Sequence, residues 1–110
     1  MISSTSNGKV KKVAALAKKA RYRKEASLFV VEGPKMAAEL PEAWVDSIYM
    51  TEAFLKSQRE LAEKLRSHHK VEIVTDEVLK AMSDTETPQG ILAVARQRQY
   101  KADEILKRPQ

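Results

Sequence analysis

The fold is decided by the stretch Lys18-Lys19-Ala20-Arg21-Tyr22-Arg23-Lys24-Glu25-Ala26-Ser27-Leu28-Phe29-Val30-Val31-Glu32-Gly33. Its first half ends a helix with a dense set of cations. Its second half opens with a run of four apolar residues that are β-branched, aromatic or aliphatic, which predicts a buried strand. The sequence therefore places a basic helix end directly before the first strand of the core.

On both sides of this stretch, apolar periodicity predicts helices that alternate with strands. The predicted helices cover 9–20, 35–40, 52–68 and 76–82, and Asn7, Thr51 and Thr75 precede three of them as N-cap residues. The predicted strands cover 28–31, 44–50, 71–74 and 90–95. This order predicts an α/β sandwich around a mixed sheet of about four strands.

Length and composition favour one globular domain. The chain has 110 residues, of which 43% are hydrophobic, and it has no cysteine. Disulfides, zinc-thiolate sites and cysteine nucleophiles are therefore excluded. The amino-terminal residues contain no signal-peptide core, and no apolar run approaches the roughly 20 residues of a membrane span. We expect a cytoplasmic protein with no membrane contact.

Charge is distributed unevenly along the chain. Residues 1–24 carry eight cations and no acid, residues 25–95 carry seven cations and thirteen acids, and residues 96–110 carry five cations and two acids. A basic end on an acidic body is typical of a surface that binds a polyanion such as nucleic acid. The alternative is a helix face whose charge serves only solvation.

Arg21 and Arg23 flank Tyr22 where the predicted helix gives way to the first strand. Arginine can bind a phosphate with two hydrogen bonds or stack on a base, and tyrosine can also stack. This arrangement favours RNA binding. In the structural alternative, Tyr22 packs on the core and the arginines pair with Glu25 and Glu32.

Two further segments are candidates for a structural or functional role. Glu32 and Gly33 end the first strand, where the carboxylate could orient an arginine and the glycine permits an unusual turn. Residues 83–90 form a loop rich in turn-forming side chains, for which a rigid structural loop is favoured over a ligand-facing one. No phosphate-binding glycine loop occurs, and the adjacent His68 and His69 are poorly placed to share a metal. We predict neither a catalytic nor a metal site.

Three motifs resemble a known family. They are the Asn-x-Lys-Val-Lys opening from Asn7, the Arg-Tyr-Arg-Lys-Glu-x-x-x-Phe-x-Val-Glu-Gly run from Arg21, and Ser-Asp-Thr-Glu-Thr-Pro-Gln-Gly-Ile-Leu-Ala-Val from Ser83. Together they resemble the N-terminal substrate-binding domain of SpoU-class (SPOUT superfamily) RNA 2'-O-ribose methyltransferases. Gly8, where the family often has proline, and Ala26-Ser27, where it often has glycine, depart from the pattern.

The resemblance implies a three-layer α/β/α sandwich like that of kink-turn-binding ribosomal proteins, and recognition of ribosomal or transfer RNA. It also implies a following knotted domain that binds S-adenosylmethionine, forms the homodimer and transfers the methyl group. The expected RNA-binding residues are Lys9, Lys12, Lys18, Arg21, Tyr22, Arg23 and Lys24. The expected structural or junction residues are Glu32, Gly33, Thr85, Pro88, Gln89 and Gly90.

The resulting hypothesis divides the chain into a disordered segment 1–6, an RNA-binding domain 7–95 and a linker 96–110 toward a catalytic domain that this chain lacks. Such a piece would be a monomer, would hold no cofactor and would not methylate RNA alone, although its parent protein would be an enzyme. One alternative is a stand-alone structural RNA-binding protein of the kink-turn type. The other is a protein-interaction module that docks an acidic partner on its basic face.

Overall fold

The structure, a computed structural model, describes residues 1–96. In chain order these residues form α1 (Gly8–Lys18), α2 (Ala20–Ala26), β1 (Leu28–Glu32), α3 (Pro34–Glu39), a 3-10 turn (Glu42–Trp44), β2 (Val45–Thr51), α4 (Glu52–Ser57), α5 (Arg59–His68), β3 (Val71–Val74), α6 (Asp76–Met82) and β4 (Ile91–Arg96). Apart from Arg96, the linker predicted over 96–110 lies outside the described residues.

The four strands form one mixed sheet in the order β1-β4-β2-β3. β2 and β3 are parallel, whereas β4 runs antiparallel to both β1 and β2. The first three strands therefore end where β4 begins, and we call this the carboxyl end of the sheet. They begin where β4 ends, and we call this the amino end. The predicted mixed sheet of four strands is confirmed.

Helices cover both faces of the sheet, so the three-layer α/β/α architecture is also confirmed. Side chains alternate between the faces along each strand. On β4, Leu92 and Val94 pack with α1 and α6, whereas Ile91 and Ala93 pack with α3, α4 and α5. The large buried side chains of the two half-cores include Val10, Leu16, Tyr49 and Met82 on the first face and Ile48, Met50, Phe54 and Leu65 on the second.

Two of the predicted helices differ from the structure by more than one residue at a boundary. The helix predicted over 9–20 ends at Lys18, and Lys19 is extended (φ −123°, ψ 110°) before a second helix, α2, that we had not predicted. α2 has no fully buried residue, so its sequence carries no apolar stripe to reveal it. The helix predicted over 52–68 is broken at Gln58 into α4 and α5.

The amino-terminal residues also differ from the expected disorder. The Ile2 amide donates to the Ile73 carbonyl oxygen at 2.9 Å, and the Thr75 amide donates to the Ile2 carbonyl oxygen at 3.1 Å. β3 is an edge strand of the sheet, so the backbone N–H and C=O groups on its outer side are available for such a partner. Ile2 also packs against the first half-core. The prediction that residues 1–6 are disordered is therefore corrected at Ile2.

Candidate nucleic-acid interface

α1 has an apolar side, which is buried, and a basic side, which is exposed. Asn7 caps the helix through its side-chain oxygen, which accepts from the Lys9 amide at 2.8 Å. The buried side of α1 consists of Val10, Val13, Leu16 and Ala17. The exposed positions include Lys9, Lys11, Lys12 and Lys18. Because the core fixes the apolar side, the lysines are held on the outer surface of the domain.

Two of these lysines have partners within the domain. The Lys9 ammonium lies 3.2 Å from a carboxylate oxygen of Glu72 on β3. The Lys18 ammonium donates to the carbonyl oxygen of Ala81, near the end of α6, at 3.2 Å. α1 therefore extends along the first face from the region of β3 to the last turn of α6.

Arg23 has a structural contact that the sequence did not predict. Its guanidinium donates to the carbonyl oxygens of Leu16 at 2.8 Å and Ala17 at 3.1 Å. These carbonyls belong to the last turn of α1, where backbone acceptors lack partners within the helix. Arg23 therefore fixes α2 against the end of α1. Direct RNA contact by Arg23 stays a prediction. Of the structural alternative, in which the arginines pair with Glu25 and Glu32, only a pair between Arg21 and Glu25 is found among residues 1–96.

The other candidate residues of α2 point outward. Arg21 is 92% exposed, and its nearest carboxylate oxygen, on Glu25, is 3.8 Å away. Tyr22 is 36% exposed, so it is not packed into the core as the structural alternative required. Lys24 is exposed as well. These three side chains are available to a partner.

We define the basic surface as the exposed cations of α1, α2 and the residue between them: Lys9, Lys11, Lys12, Lys18, Lys19, Arg21 and Lys24. Among residues 1–96, the side chains of Lys11, Lys12, Lys19 and Lys24 have no hydrogen-bond or ion-pair partner. Lys11 and Lys19 were not among the predicted RNA-binding residues. The sequence could have indicated both lysines, since they lie in residues 1–24, which contain no acidic residue.

At the carboxyl end of the sheet, Glu32 holds the loop 83–90. One carboxylate oxygen accepts from the hydroxyl of Ser83, and the other accepts from the Asp84 amide at 2.9 Å. The Ser83 hydroxyl also accepts from the Thr85 amide at 3.1 Å, and the Thr85 hydroxyl accepts from the Thr87 amide at 3.2 Å. The Glu32 carboxylate thus binds a loop and not an arginine, contrary to one expectation from the sequence.

Two glycines let the loop close against the sheet. Gly33 (φ 98°) donates its amide to the Ile91 carbonyl oxygen at 3.1 Å. Gly90 (φ 88°) accepts from the Thr51 amide at 3.0 Å. A Cβ at position 90 would lie 3.0 Å from the Cβ of Phe54, so both its backbone conformation and its surroundings require glycine.

Pro88 and Gln89 separate two surface clefts at this end. One, of about 510 Å³, is lined by residues of α4, α6 and the loop. The other, of about 300 Å³, lies between Gln89, Gly33 and Thr85. Arg96, the last described residue, lies at the amino end of the sheet, whereas the loop 83–90, for which a junction role was expected, lies at the carboxyl end. That role stays a prediction.

Residues 1–96 contain no group of three or more His, Asp or Glu side chains that could hold a metal ion. The His68 ring nitrogen Nδ1 lies 2.9 Å from the Lys64 carbonyl oxygen and 3.0 Å from the Ser67 hydroxyl, both on its own helix. None of the helices formed by residues 1–96 is long and apolar enough to cross a membrane.

Comparison with known proteins decides the family. A family model described as the MRM3-like substrate binding domain matches residues 7–93. The chain belongs to this family. The match confirms the substrate-binding domain inferred from the three sequence motifs. No curated protein sequence matches the chain.

Solved structures share the fold of this substrate-binding domain. An rRNA methyltransferase from Sinorhizobium meliloti aligns with a TM-score of 0.68 and 24% identity over 88% of this chain and 36% of its own. An RNA 2'-O ribose methyltransferase aligns at 0.69 and 24% identity over 89% and 38%. The SpoU methyltransferase AviRb from Streptomyces viridochromogenes, in complex with AdoMet, aligns at 0.67 and 21% identity over 93% and 38%. The chain thus spans little more than a third of each of these proteins.

Proposed function

We propose that this domain binds RNA through its basic surface and presents it to a ribose 2'-O-methyltransferase domain. The observation that carries the proposal is the set of exposed cations on α1 and α2, several of them unpaired within residues 1–96, in a chain that belongs to a substrate-binding family. The solved structures with the same fold are named as rRNA or RNA 2'-O-ribose methyltransferases, which supports RNA as the substrate.

The packing explains why this surface suits a polyanion. An exposed cation that already faces a carboxylate gains little from a phosphate, because the existing pair must be given up. Lys11, Lys12, Lys19 and Lys24 have no such partner among residues 1–96, and no acid precedes Glu25 in the chain. Each of these lysines can therefore neutralise a phosphate and release a counterion at no internal electrostatic cost.

Within this proposal the lysines of α1 bind phosphates and α2 adds selectivity. Arg21 can bind a phosphate with two hydrogen bonds, and the exposed ring of Tyr22 can stack on an unpaired base. Arg23 contributes by holding α2 in place against α1. Ribosomal and transfer RNA are the proposed substrate classes.

The chemistry is assigned to a different domain. We place S-adenosylmethionine, the methyl-transfer step and the dimer contact in a catalytic domain outside residues 1–96. The present domain then supplies RNA recognition alone.

The test is a titration of fluorescent ribosomal and transfer RNA fragments by anisotropy at several salt concentrations. The variant Lys12→Gln/Arg21→Gln/Lys24→Gln removes three charges from α1 and α2. The matched control, Lys35→Gln/Lys56→Gln/Arg59→Gln, removes three exposed charges from helices on the other face of the sheet.

We expect the first variant to lower the slope of log affinity against log salt by about two, since each single-strand phosphate contact contributes about 0.7. The control should change the slope by much less. Equal effects of the two variants would show that net charge alone drives binding. Absence of binding to every fragment at about 100 mM salt would reject the proposal and favour a protein partner for the basic surface.

A further inference from the structure

A small cavity lies at the amino end of the sheet, beneath the first turns of α1. It has a volume of about 190 Å³. Its polar lining consists of three lysines and three residues of β2: Lys9 and Lys12 of α1, Lys70, which precedes β3, and Asp46, Ser47 and Tyr49. The cavity therefore adjoins the basic surface but is built largely from other elements of the fold.

The two hydroxyl groups in the cavity are buried and weakly hydrogen-bonded. Ser47 is 6% exposed and Tyr49 is 6% exposed. Their hydroxyl oxygens are 3.3 Å apart, and the Ser47 hydroxyl lies 3.4 Å from an Asp46 carboxylate oxygen. Both distances exceed the roughly 2.5–3.0 Å of ordinary O–H···O bonds. Buried hydroxyls are normally well satisfied, so this pair retains hydrogen-bonding capacity toward the cavity.

The charges around the cavity leave an excess of cations. Asp46 is occupied by Arg96, whose guanidinium lies 3.3 Å from its carboxylate. Glu72 is occupied by Lys9 at 3.2 Å. Within residues 1–96, the side chains of Lys12 and Lys70 have no hydrogen-bond or ion-pair partner. Two unpaired ammonium groups and two weakly hydrogen-bonded hydroxyls thus line the cavity.

We propose that this cavity binds one phosphate of the RNA backbone, with Lys12 and Lys70 neutralising its charge and Tyr49 donating a hydrogen bond to it. The proposal rests on the proposed RNA-binding function and extends it to a defined subsite. It adds Lys70 and Tyr49, which lie outside the basic surface, to the residues that contact RNA. It also fixes the position of one nucleotide at the amino end of the sheet.

Two single substitutions test the subsite. Lys70→Gln removes an exposed charge outside α1 and α2, and Tyr49→Phe removes one hydroxyl while keeping the buried ring. Lys56→Gln on α4 is the matched control for the loss of one exposed lysine. RNA affinity and its salt dependence are measured by anisotropy. Uridine tetranucleotide and inorganic phosphate are titrated separately into the ¹⁵N-labelled protein, and the backbone amide shifts are recorded.

We expect Lys70→Gln and Tyr49→Phe each to weaken RNA binding by about three- to tenfold, because each removes one solvent-accessible hydrogen bond of ordinary strength. Only Lys70→Gln should lower the salt slope, by about 0.7, since the tyrosine is neutral. Lys56→Gln should leave both quantities nearly unchanged. The tetranucleotide should shift the amides of Ser47, Tyr49 and Lys70.

The outcomes separate this subsite from the proposed function. If Lys70→Gln binds RNA with unchanged affinity and salt slope while the triple variant of α1 and α2 loses binding, the subsite is rejected and RNA recognition stands. If neither variant differs from the native chain, both proposals fail. Lys70 is exposed, so this test remains valid even if Tyr49→Phe disturbs the core.

Discussion

The loop 83–90 and the basic surface are both polar, but they use their polar groups in opposite ways. Glu32, Ser83, Asp84 and Thr85 bind one another through hydrogen bonds within the domain. The cations of α1 and α2 mostly face solvent. Arg23 is partly buried, and Lys9, Lys18 and Arg21 each have one partner within the domain. Polar groups that satisfy one another stabilise the fold, whereas unpaired charges contribute little stability and remain available to a ligand.

The largest expected effect tests how tightly the loop is closed. Gly90→Ala should lower the free energy of unfolding by about 2–4 kcal/mol, because it forces a Cβ into a positive-φ position 3.0 Å from Phe54 Cβ. Urea denaturation measures the change. Gly8→Ala is the control: no atom lies within 4 Å of its Cβ, so it should be neutral or slightly stabilising.

A smaller loss is expected from the carboxylate that anchors the loop. Glu32→Ala removes the acceptor for both the Ser83 hydroxyl and the Asp84 amide, and Ser83 is 4% exposed. Stability should fall by about 1–3 kcal/mol. Hydrogen exchange should also become faster at the Asp84 amide. Unchanged protection there, or an equal loss of stability in the exposed control Glu39→Ala, would contradict the anchoring role.

Arg23 and Lys24 are neighbours in the chain, but Arg23 has hydrogen bonds within the domain and Lys24 faces solvent, so the two can be compared directly. Arg23→Ala should cost about 1–2 kcal/mol of stability, because it leaves the Leu16 and Ala17 carbonyls without their guanidinium donor. Lys24→Ala should leave stability nearly unchanged and reduce the salt dependence of RNA binding. Similar melting temperatures for the two variants would show that Arg23 does not hold α2.

The smallest effect concerns Arg21 and Glu25. Their side chains are 92% and 66% exposed and their charged atoms are 3.8 Å apart. An ion pair so exposed contributes about 0.5 kcal/mol or less. A double-mutant cycle with Arg21→Ala and Glu25→Ala should therefore give a coupling energy near zero. A coupling above about 1 kcal/mol would place Arg21 with the structural contacts and not with the free cations.

The sequence predicted the strands better than the helices near the basic surface. The strand predicted over 71–74 agrees with β3 at both ends, β1 is one residue longer than predicted, and β2 and β4 are each shifted by one residue. Strands are marked by dense apolar runs. α2 has no such mark, since it buries no residue fully and follows α1 without an intervening glycine or proline.

The sequence did not predict two contacts of the site, one between distant residues and one across an unexpected break between helices. Glu32 and Ser83 are 51 residues apart, and nothing local to either one identifies the other. The Arg23 contact spans six to seven residues, but it requires the break at Lys19, which apolar periodicity does not predict. The excess of cations in residues 1–24 was visible at once because it is a property of composition alone.

The place of β4 has a consequence for how the domain is made. β4 is the last strand in the described chain, yet it lies between β1 and β2 and pairs with both. Before it is synthesised, β1 has no partner strand, while β2 and β3 can already pair. The residues of β4 must therefore be synthesised before β1 can join the sheet, and until then the neighbouring helices α1, α2 and α3 can cover the apolar run of β1.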